Sequence, residues 1–199
     1  MSAADVIAAW DKADPTAIHP LRQVSEDAYW QSGREQADTL ADVIPAGSRV
    51  LDYGCGDGRV AIPMADLGYE VTAVDSSQTM LDRLTARAPE MTTVHADADG
   101  LARHFGRRRV DAAYSLAVLI HHSYEDCLHI IRKLRAVTKT GGLLILDWPT
   151  SDHPAEADSW IGVTTWSPEQ QAQACEEIGL ERVDSHLPWG VYRTVKARG

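Results

Sequence analysis

Between Val50 and Val60 the chain reads ValLeuAspTyrGlyCysGlyAspGlyArgVal: an apolar run, three glycines at alternate positions, then the start of a helical pattern. Gly54, Gly56 and Gly58 allow a tight turn and a close approach of backbone to ligand, where a Cβ would intrude. A helix starting behind such a turn offers unpaired N–H groups. Asp52 stands two residues before the first glycine. A carboxylate there repels a pyrophosphate and attracts an ammonium or sulfonium group. In a partly desolvated cleft that contact is worth roughly 1–3 kcal/mol. Asp75 closes the next apolar run about 20 residues on, where an acid at a strand tip accepts from ribose hydroxyls. Nicotinamide sites use such an acid too, but their glycines run GxGxxG. Here the pattern is GxGxG, and Asp52 disfavours a diphosphate. The pair of acids predicts an adenosine carrying a cationic amino-acid tail.

These residues need strands that end at one edge of a sheet. The short β-rich runs are Arg49–Tyr53, Glu70–Asp75, Thr92–Ala96, Val110–Leu116 and Leu143–Trp148, each apolar enough to be buried on both faces. Helical patterns lie between them at Gly58–Leu67, Ser77–Arg87, Asp99–His104 and Tyr124–Val137. Ser77 reads as an N-cap, and Gly141-Gly142 reads as the stop of the long helix. Such alternation with short connections implies a parallel sheet with helices on both faces. Ser167-Pro168-Glu169 opens a last helix that stops at Gly179. Leu180–His186 and Val191–Ala197 follow as strands joined by Pro188-Trp189-Gly190, a short connection that suits antiparallel pairing better than parallel. The expected fold is α/β: a Rossmann-like seven-stranded, mostly parallel sheet with helices on both faces and an antiparallel last strand. Residues 1–46 read as helical, without strand signals.

Taken in order, AspTyrGlyCysGlyAspGly, ValAspSerSer, HisAlaAspAla, AspAlaAlaTyrSerLeuAlaValLeuIleHisHis and GlyGlyLeuLeuIleLeuAsp resemble the motif series of class I S-adenosylmethionine-dependent methyltransferases. The resemblance is strong from Arg49 to Trp148 and looser over Tyr29–Arg34 and the C-terminal strands. It implies S-adenosyl-L-methionine as cofactor. By it, Asp52 and the Gly54, Cys55, Gly56 and Gly58 backbone hold the methionine portion, and Arg34 pairs with its carboxylate. Asp75 binds the ribose, with Ser76 beside the adenine. Asp97 accepts from the adenine amino group, and the Ala98 N–H faces the ring. Ser115 and Leu116 border the sulfonium. The implied organisation is one domain, 1–199: a helical cap at 1–46, a cofactor-binding core at 47–149, a lid-length segment at 150–166, and a C-terminal helix with two strands at 167–199.

Displacement at a sulfonium needs alignment and exclusion of water before it needs acid–base help. Where the nucleophile carries a proton, His121 and His122, just after the fourth strand, are the candidate bases. Asp147 and His153 follow the fifth strand, but no spacing supports a metal site. Trp148, Trp160 and Trp166 border or lie in the 150–166 segment, as stacking surfaces for a flat acceptor or as packing. The expected activity is methyl transfer to an O or N atom of a small molecule. An adenosylmethionine-binding protein without transfer and a protein methyltransferase stay open.

Composition limits the alternatives. In 199 residues, 44% are hydrophobic and 24% charged, and the net charge is −10. That acidity disfavours nucleic acid and anionic membrane as partners. Cys55, Cys127 and Cys175 are odd in number and unpaired by spacing, so they read as reduced structural thiols. The opening MSAADVIAAWDKADP lacks the pattern of a secretory signal, and no apolar run is long enough to span a bilayer. A cytoplasmic enzyme is expected; whether it forms a homodimer stays open.

Overall fold

A computed structural model describes all residues except 1, 2, 13, 15, 20, 21, 160, 161 and 197–199. The chain divides into two compact units, residues 1–97 and 98–199.

The first unit begins with α1 (Ala3–Trp10), then a small antiparallel pair, β1 (Ala17–His19) and β2 (Arg22–Gln23). That pair corrects the reading of residues 1–46 as free of strands; two- and three-residue strands are too short to show a period. Helix α2 (Glu26–Ala41) follows, with Ser25 as N-cap accepting from the Ala28 N–H. Then come β3 (Arg49–Tyr53), α3 (Ala61–Asp66), β4 (Glu70–Asp75), α4 (Gln78–Arg87) and β5 (Thr92–His95). The β3–β4 and β4–β5 pairings are parallel, in register from Arg49↔Glu70 to Tyr53↔Val74 and from Thr72↔Thr92 to Asp75↔His95. Ser77 caps α4 by accepting from the Met80 N–H at 3.1 Å.

The second unit opens with a 3₁₀ turn (Ala98–Gly100) and α5 (Leu101–Phe105). Next are β6 (Val110–Ser115), a 3₁₀ turn (Leu119–His121), α6 (Tyr124–Val137), β7 (Thr138–Leu146), α7 (Pro168–Ile178), β8 (Leu180–Val183) and β9 (Gly190–Thr194). Helix α6 buries Cys127, Ile130, Ile131, Leu134 and Val137, the stripe that a 3.6-residue period places on one face. Ser167 and Gln170 form a capping box on α7, Pro168 takes its first turn, and Gly179 ends it in the left-handed region at φ 80°. The β6–β7 pairing is parallel, and β9 runs antiparallel to both β7 and β8. Among the described residues the main sheet has seven strands, ordered β5-β4-β3-β6-β7-β9-β8.

The stop of α6 differs from the expectation. Gly141-Gly142 does not stop α6; the helix ends at Val137, and Thr138 caps it, its hydroxyl donating to the Leu134 carbonyl at 2.8 Å. The glycines lie inside β7, in an irregularity where the partners pass from Val110↔Thr138 to Ala112↔Leu143. Gly141 has φ 85°, and a Cβ on Gly142 would lie 2.5 Å from the Asp111 carbonyl oxygen. These glycines serve a bulge and a close backbone approach.

Candidate functional site

In the first unit, Asp52, the Gly54–Gly58 backbone and Asp75 come together at the turn after β3. Asp52 is buried in that strand at 4% exposure. The Gly54 and Cys55 N–H groups both donate to the Val74 carbonyl of β4, at 2.8 and 3.1 Å. Gly54, Gly56 and Gly58 take φ of 77°, 56° and 90°, which L side chains rarely adopt. At Gly58 the constraint is also steric: an added Cβ would lie 2.3 Å from Leu84 Cδ1. At Gly56 it is the reverse, since a Cβ there would meet nothing within 4 Å.

Asp75 joins the two strand ends. Its Oδ2 accepts from the Gly56 N–H and its Oδ1 from the Ser77 N–H, each at 2.8 Å. Burial raises this carboxyl above its usual range, and the bonds from Ser77 and Gly56 pull it partly back. The Ser77 hydroxyl donates to the Asp11 carboxylate, bringing the end of the first helical segment to the same place. Ser76 presents its carbonyl to His95 Nε2 at 2.9 Å. Burial also pushes the Cys55 thiol well up, with Asp52 and Asp75 adding to the effect, so it stays a neutral thiol.

Two further residues belong here that sequence reasoning passed over. Asp57, between the second and third glycines, is 2% exposed, and its Oδ1 accepts from the Tyr29 hydroxyl of α2 at 2.5 Å. Its Oδ2 is buried without a hydrogen-bond partner among the described residues. A carboxylate at the x of GxGxG, with a buried Tyr on the preceding helix, was the available signal. Arg34 lies elsewhere on α2: it is exposed, and its Nε and Nη2 donate to Gln31 Oε1 at 3.1 and 2.8 Å. Asp97 is exposed at the end of this unit.

In the second unit, Ala98 is buried at the first 3₁₀ turn. Asp99 beside it faces outward, 2.7 Å from Lys133 Nζ and 3.0 Å from His129 Nε2. Ser115 is fully buried at the tip of β6, and Leu116 is half-buried after it. Ala117 has φ 57°, strain that is held in place by its surroundings. Its N–H donates to Asp147 Oδ2 at 3.2 Å, while the Asp147 N–H donates to the Ser115 carbonyl at 3.0 Å. Burial raises the Asp147 carboxyl; the Ala117 N–H and His121 oppose it.

His121 is buried, and its Nδ1 lies 3.1 Å from the Gly162 carbonyl oxygen. A carbonyl can only accept, so a neutral His121 carries its proton on Nδ1 and its lone pair on Nε2. Burial holds the His122 imidazole below its usual pKa, keeping it neutral near pH 7. Its carbonyl accepts from Thr164 Oγ1 at 2.5 Å, and the Thr164 N–H donates to the Ile120 carbonyl at 2.7 Å. The 150–166 segment is therefore fastened to the turn after β6. It also bridges itself, Ala155 to Thr165 and Thr150 to Trp166. Trp148 and Trp166 are each 4% exposed and stack edge-on at 5.4 Å, with Tyr124 4.5 Å from Trp166. Their rings are occupied in packing. Trp160 lies outside the described residues. His153 is exposed, and no group of three metal-ligating side chains occurs among the described residues.

Residues 50–142 match the family described as a methyltransferase domain. The chain is 34% identical over 132 residues to 27-O-demethylrifamycin SV methyltransferase of Amycolatopsis mediterranei (strain S699), covering 61% of this chain and 48% of that protein. It is 32% identical over 130 residues to tRNA 5-carboxymethoxyuridine methyltransferase of Escherichia coli (strain K12), covering 62% and 48%. The chain thus spans about half the length of these curated relatives. Among solved structures, the CcbJ methyltransferase from Streptomyces caelestis shares the fold, with a TM-score of 0.67, 20% identity and 96% of each chain covered. The matched segment coincides with the glycine turn and the strands that carry it, and over these residues the chain is similar to methyltransferase domains.

Proposed function

We propose that this chain binds S-adenosyl-L-methionine and transfers its methyl group to an O or N atom of a small molecule. The observation that carries the reading is the glycine turn itself. Three left-handed glycines follow a buried Asp52, and the Gly56 amide is fixed by Asp75 while its Cβ position stands open. That donor set fits a nucleoside with a cationic tail: acids at two strand tips, and a backbone cradle that a side chain would fill. In the first unit Asp52 and the Gly54, Cys55, Gly56 and Gly58 backbone would hold the amino-acid portion. Asp75 and Ser76 would hold the ribose and flank the base, with Asp97 accepting from the adenine amino group. In the second unit Ala98, Ser115 and Leu116 take the roles the resemblance implies.

When bound, the cofactor supplies an electrophilic methyl on a sulfonium. The chain's own work is to orient and to exclude water. An acceptor that carries a proton needs a base, and His121 suits it: the Gly162 carbonyl fixes the tautomer that leaves the lone pair on Nε2. One relative acts on a tRNA uridine, but a net charge of −10 weighs against a polyanionic acceptor. No described helix is long and apolar enough to cross a membrane.

Calorimetric titration with S-adenosylhomocysteine tests the reading. Asp52→Ala should weaken binding roughly 5- to 150-fold, the worth of one charged contact at about 1–3 kcal/mol. Undiminished affinity in that variant, or tighter binding of NADH than of S-adenosylhomocysteine, would refute the assignment.

A further inference from the structure

Helix α2 meets the stretch just after the glycine turn at three successive points. The Tyr29 hydroxyl donates to Asp57 Oδ1 at 2.5 Å. Arg59 Nη1 donates to Ser32 Oγ at 3.1 Å, and the Arg59 guanidinium lies 5.7 Å from the centre of the Tyr29 ring. At Gly33 the helix backbone comes so near that an added Cβ would lie 1.9 Å from the Arg59 carbonyl oxygen. One turn of α2, residues 29 to 33, therefore covers residues 57 to 59. Asp57 is also the one buried carboxylate of the turn with an oxygen left without a hydrogen-bond partner among the described residues. With both oxygens orphaned, this carboxylate would lose the interaction that offsets its burial.

We propose that Tyr29 and Asp57 form a latch that holds the glycine turn in its ligand-ready shape, so that cofactor affinity depends on α2 being docked. This rests on the cofactor reading above. Both are positioning residues, acting through the Gly56–Gly58 backbone. What matters at position 57 is an acceptor for the Tyr29 hydroxyl, not negative charge. The groups that face Asp57 are Tyr29 on α2, Arg59 beside the turn, and Arg83 and Arg87 on α4, so the charge itself is already balanced by nearby arginines.

The test compares Tyr29→Phe, Asp57→Ala and Asp57→Asn in the full chain. S-adenosylhomocysteine affinity is read by calorimetry, and exchange of the Gly56–Val60 amides by hydrogen–deuterium mass spectrometry. Tyr29→Phe and Asp57→Ala should each weaken binding by roughly tenfold, the lower worth of a hydrogen bond to a charged group. Both should speed exchange across the turn without affecting β4. Asp57→Asn keeps an acceptor oxygen and should retain most of the affinity. The double variant Tyr29→Phe/Asp57→Ala should lose no more than either single one.

If Asp57→Asn is as damaged as Asp57→Ala while Tyr29→Phe binds normally, Asp57 acts by charge and the latch is wrong. Folded single variants with unchanged affinity and exchange also overturn it. Should a variant fail to fold, Ser32→Ala, which releases only Arg59, must still raise exchange at residues 57–59 for the latch to stand. Failure of the unaltered chain to bind S-adenosylhomocysteine overturns the cofactor reading, and the latch with it.

Discussion

Replacing Gly33 by alanine sets two effects of opposite sign against each other. In an exposed helix interior, Gly→Ala stabilises by about 1 kcal/mol, because alanine loses less backbone freedom on folding. Here the new Cβ would lie 1.9 Å from the Arg59 carbonyl oxygen, 2.8 Å from the Arg59 carbonyl carbon and 2.9 Å from Arg59 Cγ, all inside the 3.0 Å that real Cβ atoms respect. Two of those atoms are backbone, so no rotamer change removes the overlap. Either α2 or the stretch after the glycine turn must move by about 1 Å. Overpacking of this kind costs roughly 1–3 kcal/mol, and a backbone clash belongs at the upper end. Set against the propensity gain, the net loss is about 2 kcal/mol, or roughly 4–8 °C in melting temperature for a chain of this length. Urea denaturation measures the first quantity. Because the displaced backbone carries the cofactor turn, S-adenosylhomocysteine affinity should fall in parallel. A variant that is more stable by about 1 kcal/mol, with unchanged affinity, would show that α2 does not pack on residues 57–59.

Two other expectations follow from single interactions. Ser167→Ala removes one half of the α7 capping box, whose Ser Oγ accepts from the Gln170 N–H at 3.1 Å, and should lower stability by about 1 kcal/mol without altering cofactor affinity; a urea midpoint identical to that of the unaltered chain would contradict it. Burial raises the Asp75 carboxyl, so the folded state holds that proton more tightly than the unfolded chain does. Its contribution to stability is complete below the unfolded pKa of about 3.9 and is lost as pH rises through the higher folded value. Asp75→Asn should flatten that part of the decline in urea midpoint with rising pH, and an unaltered slope would remove Asp75 as its source.

The order of strands and helices was legible because each local signal was of a kind that tertiary contacts seldom override. Glu70–Asp75 is bounded as its residue types require. The serine caps at positions 77 and 167 stop the backbone with their own oxygens. The GxGxG spacing announced a turn because only glycine takes φ of 56–90° three times in five residues without strain. Other features depended on what lay across space. A glycine pair after a helix pattern looks like a stop signal, yet Thr138 ended α6 and the glycines served the β6–β7 irregularity, which is set by the partner strand. Nothing local distinguishes Arg34, turned to Gln31, from Tyr29, whose hydroxyl meets Asp57 28 positions away. Sequence showed the 150–166 segment only as a lid-length stretch, because its bonds to Ile120, His121 and His122 join residues about 40 positions apart. Sequence determined which backbone shapes each segment could adopt at low cost. Only the folded chain decided which side chains face each other, because those pairings follow from packing distance and not from residue type.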